Sequence, residues 1–165
     1  GGLLSITFHP DYARNGQFFV YYTVDLDDGN GPLFHDRLSR FVVSGGDPDA
    51  ADPASGQPLL TQYDQGNSHN GGTLHFGPSD GYLYLSLGDE GGGNDSYNNS
   101  QRIDKDFFAG MLRIDVDLEA EDYTVRDDTG SDDHNLRPTD HHAIDLDGNG
   151  NPFYEVPADN PFVGA

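Results

Sequence analysis

Leu4-Ser5-Ile6-Thr7-Phe8-His9-Pro10, then Asn15-Gly16 and Phe18-Phe19-Val20-Tyr21-Tyr22, returns as Leu74-His75-Phe76-Gly77-Pro78, Asp80-Gly81 and Tyr82-Leu83-Tyr84-Leu85. Each copy is an apolar run, a Pro/Gly turn and an aromatic run. Each then reaches a third run containing arginine, at Leu38-Ser39-Arg40-Phe41-Val42-Val43 and Met111-Leu112-Arg113-Ile114-Asp115-Val116. Asn-Gly and Asp-Gly mark tight turns because they accept positive φ. Aromatic and β-branched residues suit strands. A repeated unit of three or four antiparallel strands separated by long Gly/Asp loops is the pattern of a propeller blade. A β-sandwich would also use short strands but gives no reason for the period.

Working outward, strands are expected at Leu3–His9, Gln17–Val24, Arg37–Ser44, Gly72–Phe76, Tyr82–Leu87 and Met111–Asp117, with a weak one at Phe153–Val156. A short helical turn is expected within Asn99–Phe108. Gly45–Gln65, rich in Asp, Pro, Ala and Gly, reads as a surface connection ending in Leu59-Leu60. The fold class is therefore all-β, a single partial β-propeller domain over 1–165. Its blade-like repeats cover about 1–44 and 68–118, and an acidic loop region covers 119–165. Two blades do not close a ring of 4–8, so the chain reads as a piece of a longer protein whose remaining blades are its partners. The opening Gly1-Gly2, without an initiator Met, fits that reading. Apolar residues are expected on both surfaces of each blade, since blades pack on each side.

Charge narrows the function classes. Lys and Arg number 8 against 29 Asp and Glu, a formal net charge of −21. That charge repels phosphate backbones and anionic lipid, which argues against nucleic acid and membrane surfaces as partners. No apolar run is long enough to span a bilayer. With no cysteine, disulfides, thiol catalysis and cysteine-ligated metal centres are excluded. The acids fit either a surface hydrated in high salt or calcium ligation, since Asp supplies short, hard oxygen ligands.

Three segments could carry chemistry. In Asn67-Ser68-His69-Asn70-Gly71-Gly72, His69 sits at a strand entrance, where it can titrate near neutrality. The two glycines would let a ligand approach the backbone; the alternative is a turn with a surface histidine. In Leu87-Gly88-Asp89-Glu90-Gly91-Gly92-Gly93-Asn94, paired acids at a strand end suit hydroxyl binding or a hard metal, or else a solvated turn. Asp145-Leu146-Asp147-Gly148-Asn149-Gly150 resembles the first half of a calcium loop with Asp145, Asp147 and Asn149 as ligands. It lacks the bidentate Glu at the twelfth position, where Val156 stands. Asp25-Leu26-Asp27-Asp28-Gly29-Asn30 is a fainter version. His134, His141 and His142 match no zinc spacing.

These motifs, taken in order, resemble the glucose/sorbosone dehydrogenase family. The likeness rests on Gly2-Leu3-Leu4-Ser5-Ile6-Thr7-Phe8-His9-Pro10-Asp11-Tyr12, Ser68-His69-Asn70-Gly71-Gly72-Thr73-Leu74-His75-Phe76-Gly77-Pro78, and Tyr82-Leu83-Tyr84-Leu85-Ser86-Leu87-Gly88-Asp89. It continues through Gly110-Met111-Leu112-Arg113-Ile114-Asp115-Val116-Asp117 and Pro157-Ala158-Asp159-Asn160-Pro161-Phe162. The resemblance implies a six-bladed propeller, pyrroloquinoline quinone (PQQ) with calcium, a sugar substrate and a periplasmic or secreted location. It places His69 on the family's catalytic base, Asp89 on an active-site acid and Asn94 near a cofactor-contacting amide. Ser68 stands where sugar-oxidising members have Asp, and Thr73 where they have Arg. The family's later arginine and calcium loop would lie beyond Ala165. The expected function is part of a quinone-dependent sugar or aldose dehydrogenase, inactive as this piece alone. The alternatives are a catalytically silent calcium- or carbohydrate-binding propeller module and a salt-adapted structural module.

Overall fold

The computed structural model describes residues 2–27, 32–100, 102, 107–117, 154, 156–157 and 159–161. Its elements run β1 (Leu3–Phe8), a one-turn helix α1 (Tyr12–Asn15), β2 (Gln17–Asp27), β3 (Pro32–Ser44), β4 (Asp47–Ala51), a 3-10 turn (Pro53–Ser55), β5 (Gln57–Tyr63), β6 (Gly71–Phe76), β7 (Leu83–Leu87) and β8 (Met111–Ile114). They form two antiparallel sheets: β1-β2-β3 with β4 and β5 both paired to β3, and β6-β7-β8. The all-β expectation holds.

The sequence repeat is also a repeat of register. Phe8 pairs with Phe18 and Phe18 with Phe41, as Phe76 pairs with Leu83 and Leu83 with Ile114. Arg40 and Arg113 occupy matching places, opposite Phe19 and Tyr84. Gly16, at φ +64, ends α1 by donating its N–H to the Tyr12 carbonyl at 2.8 Å. Asn15-Gly16 therefore supplies the positive φ as a helix cap, not as a two-residue hairpin turn.

One face of the first sheet, with Phe19, Tyr21, Leu38 and Leu60, packs on the face of the second that bears Leu74, Phe76, Leu83, Leu85 and Ile114 in a single buried cluster. Each fully buried Leu there contributes on the order of 2 kcal/mol. The Phe19 and Phe76 rings meet edge to face at 5.5 Å. At the turn end, buried His9 accepts at Nδ1 from the Asp11 N–H (3.0 Å) and the Asn15 amide (2.9 Å). Its Nε2–H is thereby directed to Asp117 at 2.8 Å, tying the first sheet to the end of the second. Tyr154 is buried in the same cluster, and Asp159 and Asn160 grip the Arg113 guanidinium at 2.8 Å each.

Two expectations change, and others fall partly outside the described residues. Gly45–Gln65 is not a surface connection: it forms β4 and β5, and Leu59, Leu60 and Gln62 are buried. Asp25-Leu26-Asp27 continues β2 opposite β3, and Asp28-Gly29-Asn30 lie outside the described residues. The helical turn expected within Asn99–Phe108 and the weak strand expected at Phe153–Val156 lie in large part outside the described residues. Apolar residues line both faces of the first sheet, where Phe18, Val20, Tyr22 and Phe41 form an open groove of about 570 Å³. The outer face of the second sheet instead presents Thr73, His75, Tyr84 and Ser86. The calcium-type loop with Asp145, Asp147 and Asn149, and His134, His141 and His142, lie outside the described residues.

Candidate active site

Both loops carrying the sequence-selected residues emerge at one end of the second sheet, 64–70 leading into β6 and 88–92 leaving β7. They approach so closely that only glycine fits at two positions. A Cβ on Gly88 would lie 1.4 Å from the His69 carbonyl oxygen, and one on Gly66 1.7 Å from that of Glu90. The interlock brings His69 and Asp89, 20 residues apart, to 2.9 Å between Nδ1 and Oδ1.

Donor accounting assigns the proton. Asp89 Oδ1 also accepts the Gly91 N–H at 3.1 Å. The hydrogen bond from His69, and next that from Gly91, hold the Asp89 carboxyl below the usual carboxylate range. An ionised carboxylate only accepts, so His69 donates from Nδ1, and in the neutral imidazole Nε2 keeps its lone pair. The His69 side chain is 65% exposed, and no described residue bonds Nε2. A neutral imidazole oriented by a carboxylate, with its basic nitrogen turned outward, can take a proton from a hydroxyl.

Behind this pair lies a buried polar layer that the sequence did not disclose. Asn70 donates its amide to Asp36 at 2.8 Å and Asp64 at 2.6 Å. Glu90 accepts from the Gln65 N–H and, at 2.9 Å, from Asn99, whose amide also reaches the Asp89 carbonyl at 3.1 Å. Asp36, Asp64, Glu90 and Asn99 are all buried. Burial pushes the Asp36 carboxyl up to about 6, against the hydrogen bonds from Asn70 and Tyr21. Burial and then the Asp36 charge push Asp64 up to about 6 as well. The available signal was phase: Asp36 shares a face of β3 with Leu38, which is fully buried.

Gly71 and Gly72 also sit at close approaches of the chain. A Cβ on Gly71 would meet the Gly88 nitrogen at 2.6 Å, and one on Gly72 the Tyr21 ring at 2.6 Å. Both permit close packing between loops and sheets. Asn94 stands exposed at φ +58 on the 88–100 loop, and no hydrogen bond among the described residues ties its side chain to His69 or Asp89. Asn99 is the amide that reaches the site's framework. Among the described residues, no three His, Cys, Asp or Glu converge as a metal site.

The Glucose / Sorbosone dehydrogenase family model matches residues 1–134. The chain belongs to that family. It is 38% identical over 124 residues to Hedgehog-interacting protein of Mus musculus, covering 72% of this chain and 17% of that one. It is 29% identical over 147 residues to HIPL1 protein of Arabidopsis thaliana, covering 70% and 21%. The chain thus spans about a fifth of the length of these curated relatives. Among solved structures, the soluble aldose sugar dehydrogenase of Escherichia coli in its apo form aligns with a TM-score of 0.53 at 24% identity, over 68% of this chain and 30% of that one. A glucose dehydrogenase aligns with the same score at 21% identity, over 68% and 32%. These two likenesses speak to the fold.

Proposed function

We propose that the chain is one partial domain, two neighbouring blades of a six-bladed, periplasmic or secreted quinone-dependent dehydrogenase acting on a sugar hydroxyl. His69 is its general base and Asp89 the acid that orients it. The observation carrying this reading is the 2.9 Å His69–Asp89 pair with Nε2 turned outward. Oxidation of an alcohol breaks the O–H and C–H bonds as the C=O bond forms. His69 Nε2 takes the hydroxyl proton, and Asp89 stabilises the imidazolium that results. PQQ, when bound, would supply the acceptor for the hydride.

The residues present suit the proton transfer better than the anchoring. Loops 64–72 and 88–100 carry Asp64, Asp89, Glu90 and Asp95 and no Lys or Arg. Cationic partners for an anionic quinone must therefore come from outside these loops. Asn94 would offer an amide contact, and Asp145, Asp147 and Asn149 would take calcium.

The test is dye reduction by the full-length protein with aldoses, PQQ and calcium. His69→Ala is expected to lower turnover roughly 10²–10⁴-fold, the usual contribution of a positioned base. Asp89→Asn is expected to lower it less, and omitting calcium should weaken activity. A second reading, a catalytically silent binding module, is favoured by the 38% identity to Hedgehog-interacting protein and by Ser68. Full PQQ-dependent activity with Ala at position 69 would overturn the base assignment, and no activity in the intact protein would support the module.

A further inference from the structure

His69 and Asp89 are each followed by a residue whose side chain turns the other way. His69 faces out and Asn70 faces in; Asp89 faces out and Glu90 faces in. The backbone reverses at His69 (φ +57) and at Glu90 (φ +70), a left-handed conformation that L residues rarely keep without support. The support is visible. Asn70 is held at its side chain by two buried carboxylates and at its backbone carbonyl by the Gly88 N–H at 3.2 Å. Glu90 is held by the Gln65 N–H and by Asn99, which in turn holds the Asp89 carbonyl.

We propose that Asn70 and Glu90 are positioning residues for the His69–Asp89 pair. Each anchors the outward residue before it, and together they set the separation of the two reacting side chains. The inference rests on the base assignment above for its functional meaning, but the geometry it predicts is measurable without catalysis. Without Asn70, the two carboxylates behind it lose their shared donor and the 64–70 loop loses its inward anchor, so His69 drifts from Asp89. Without Glu90, loop 88–92 loses its ties to Gln65 and Asn99, and Asp89 drifts instead.

The readout is the titration of the Asp89 carboxyl, followed by carbon-detected NMR on the full chain. Its carboxyl is held low chiefly by the hydrogen bond from His69, so any separation of the pair raises it. Asn70→Ala and Glu90→Ala are each expected to raise the midpoint toward that of an unperturbed aspartate. Glu90→Gln, which retains a carbonyl acceptor, should restore most of the parent value. Ile114→Val, a core change outside these loops, should lower the melting temperature and leave the Asp89 midpoint in place. An unmoved midpoint in folded Asn70→Ala overturns the proposal; if that variant does not fold, an unmoved midpoint in Glu90→Ala does so. A moved midpoint in a chain whose full-length parent oxidises nothing keeps the positioning and discards the catalytic reading.

Discussion

Asp36, Asp64 and Glu90 set this chain apart from an ordinary acidic surface. A charge of −21 would place acids in water, but these three are buried behind the candidate base. Composition made the excess legible but not this exception, because charge counts carry no phase. The Asp36 and Asp64 carboxyls titrate near 6 in the fold and near 3.8 when unperturbed. The folded state therefore binds more protons than the unfolded state between those values, and stability falls as pH rises through about 6. Asp80, Asp89 and Asp159 are shifted the other way, so their contribution is lost at the acid end. The melting temperature is expected to rise from pH 7 to pH 5 and fall again below the ordinary carboxylate range. Asp36→Asn should flatten the upper limb. A parent melting temperature that climbs from pH 5 to pH 7 would contradict the burial argument.

At the scale of elements, strand chemistry was readable where aromatic residues recur and unreadable where proline interrupts. β5 was hidden by Pro58, yet Pro58 sits next to the register shift between Leu38 and Ser39, an irregularity that tolerates a missing donor. β4 was hidden by Asp47, Pro48 and Asp49, which form an exposed strand against the end of β3. His69 and Asp89 were legible because they stand at the ends of repeat strands; Asn70 and Glu90 were in view beside them without a signal that they turn inward. The loop interlock yields its own prediction. Gly88→Ala and Gly66→Ala push a methyl group into backbone atoms that cannot yield, and each should destabilise the chain by roughly 1–3 kcal/mol or more in urea unfolding. Gly93→Ala, with nothing within 4 Å of the added carbon, should change stability little. Equal effects at positions 88 and 93 would mean that the loops are not locked together.

For the whole molecule, the repeat shows which surface is incomplete. Phe76, Leu83 and Ile114 of the second sheet are covered by the first, and their register equivalents Phe8, Phe18 and Phe41 lie on a face that no second sheet covers among the described residues. Phe8 is 54% exposed and Leu3 66%. Contiguous apolar surface of this kind drives association, while the net charge of −21 opposes it. The balance depends on ionic strength, because the screening length falls from about 30 Å at 0.01 M salt to about 3 Å at 1 M. The chain is therefore expected to sediment as a monomer in low salt and to self-associate in 1 M sodium chloride. Val20→Lys places a charge in the middle of the open groove and should suppress that association at high salt. The same substitution on the outer face of the second sheet, Thr73→Lys, lies away from the open groove of the first and should suppress it far less. If both variants associate like the parent in sedimentation velocity runs, the contact does not run through the first sheet, and the register equivalence loses its physical consequence.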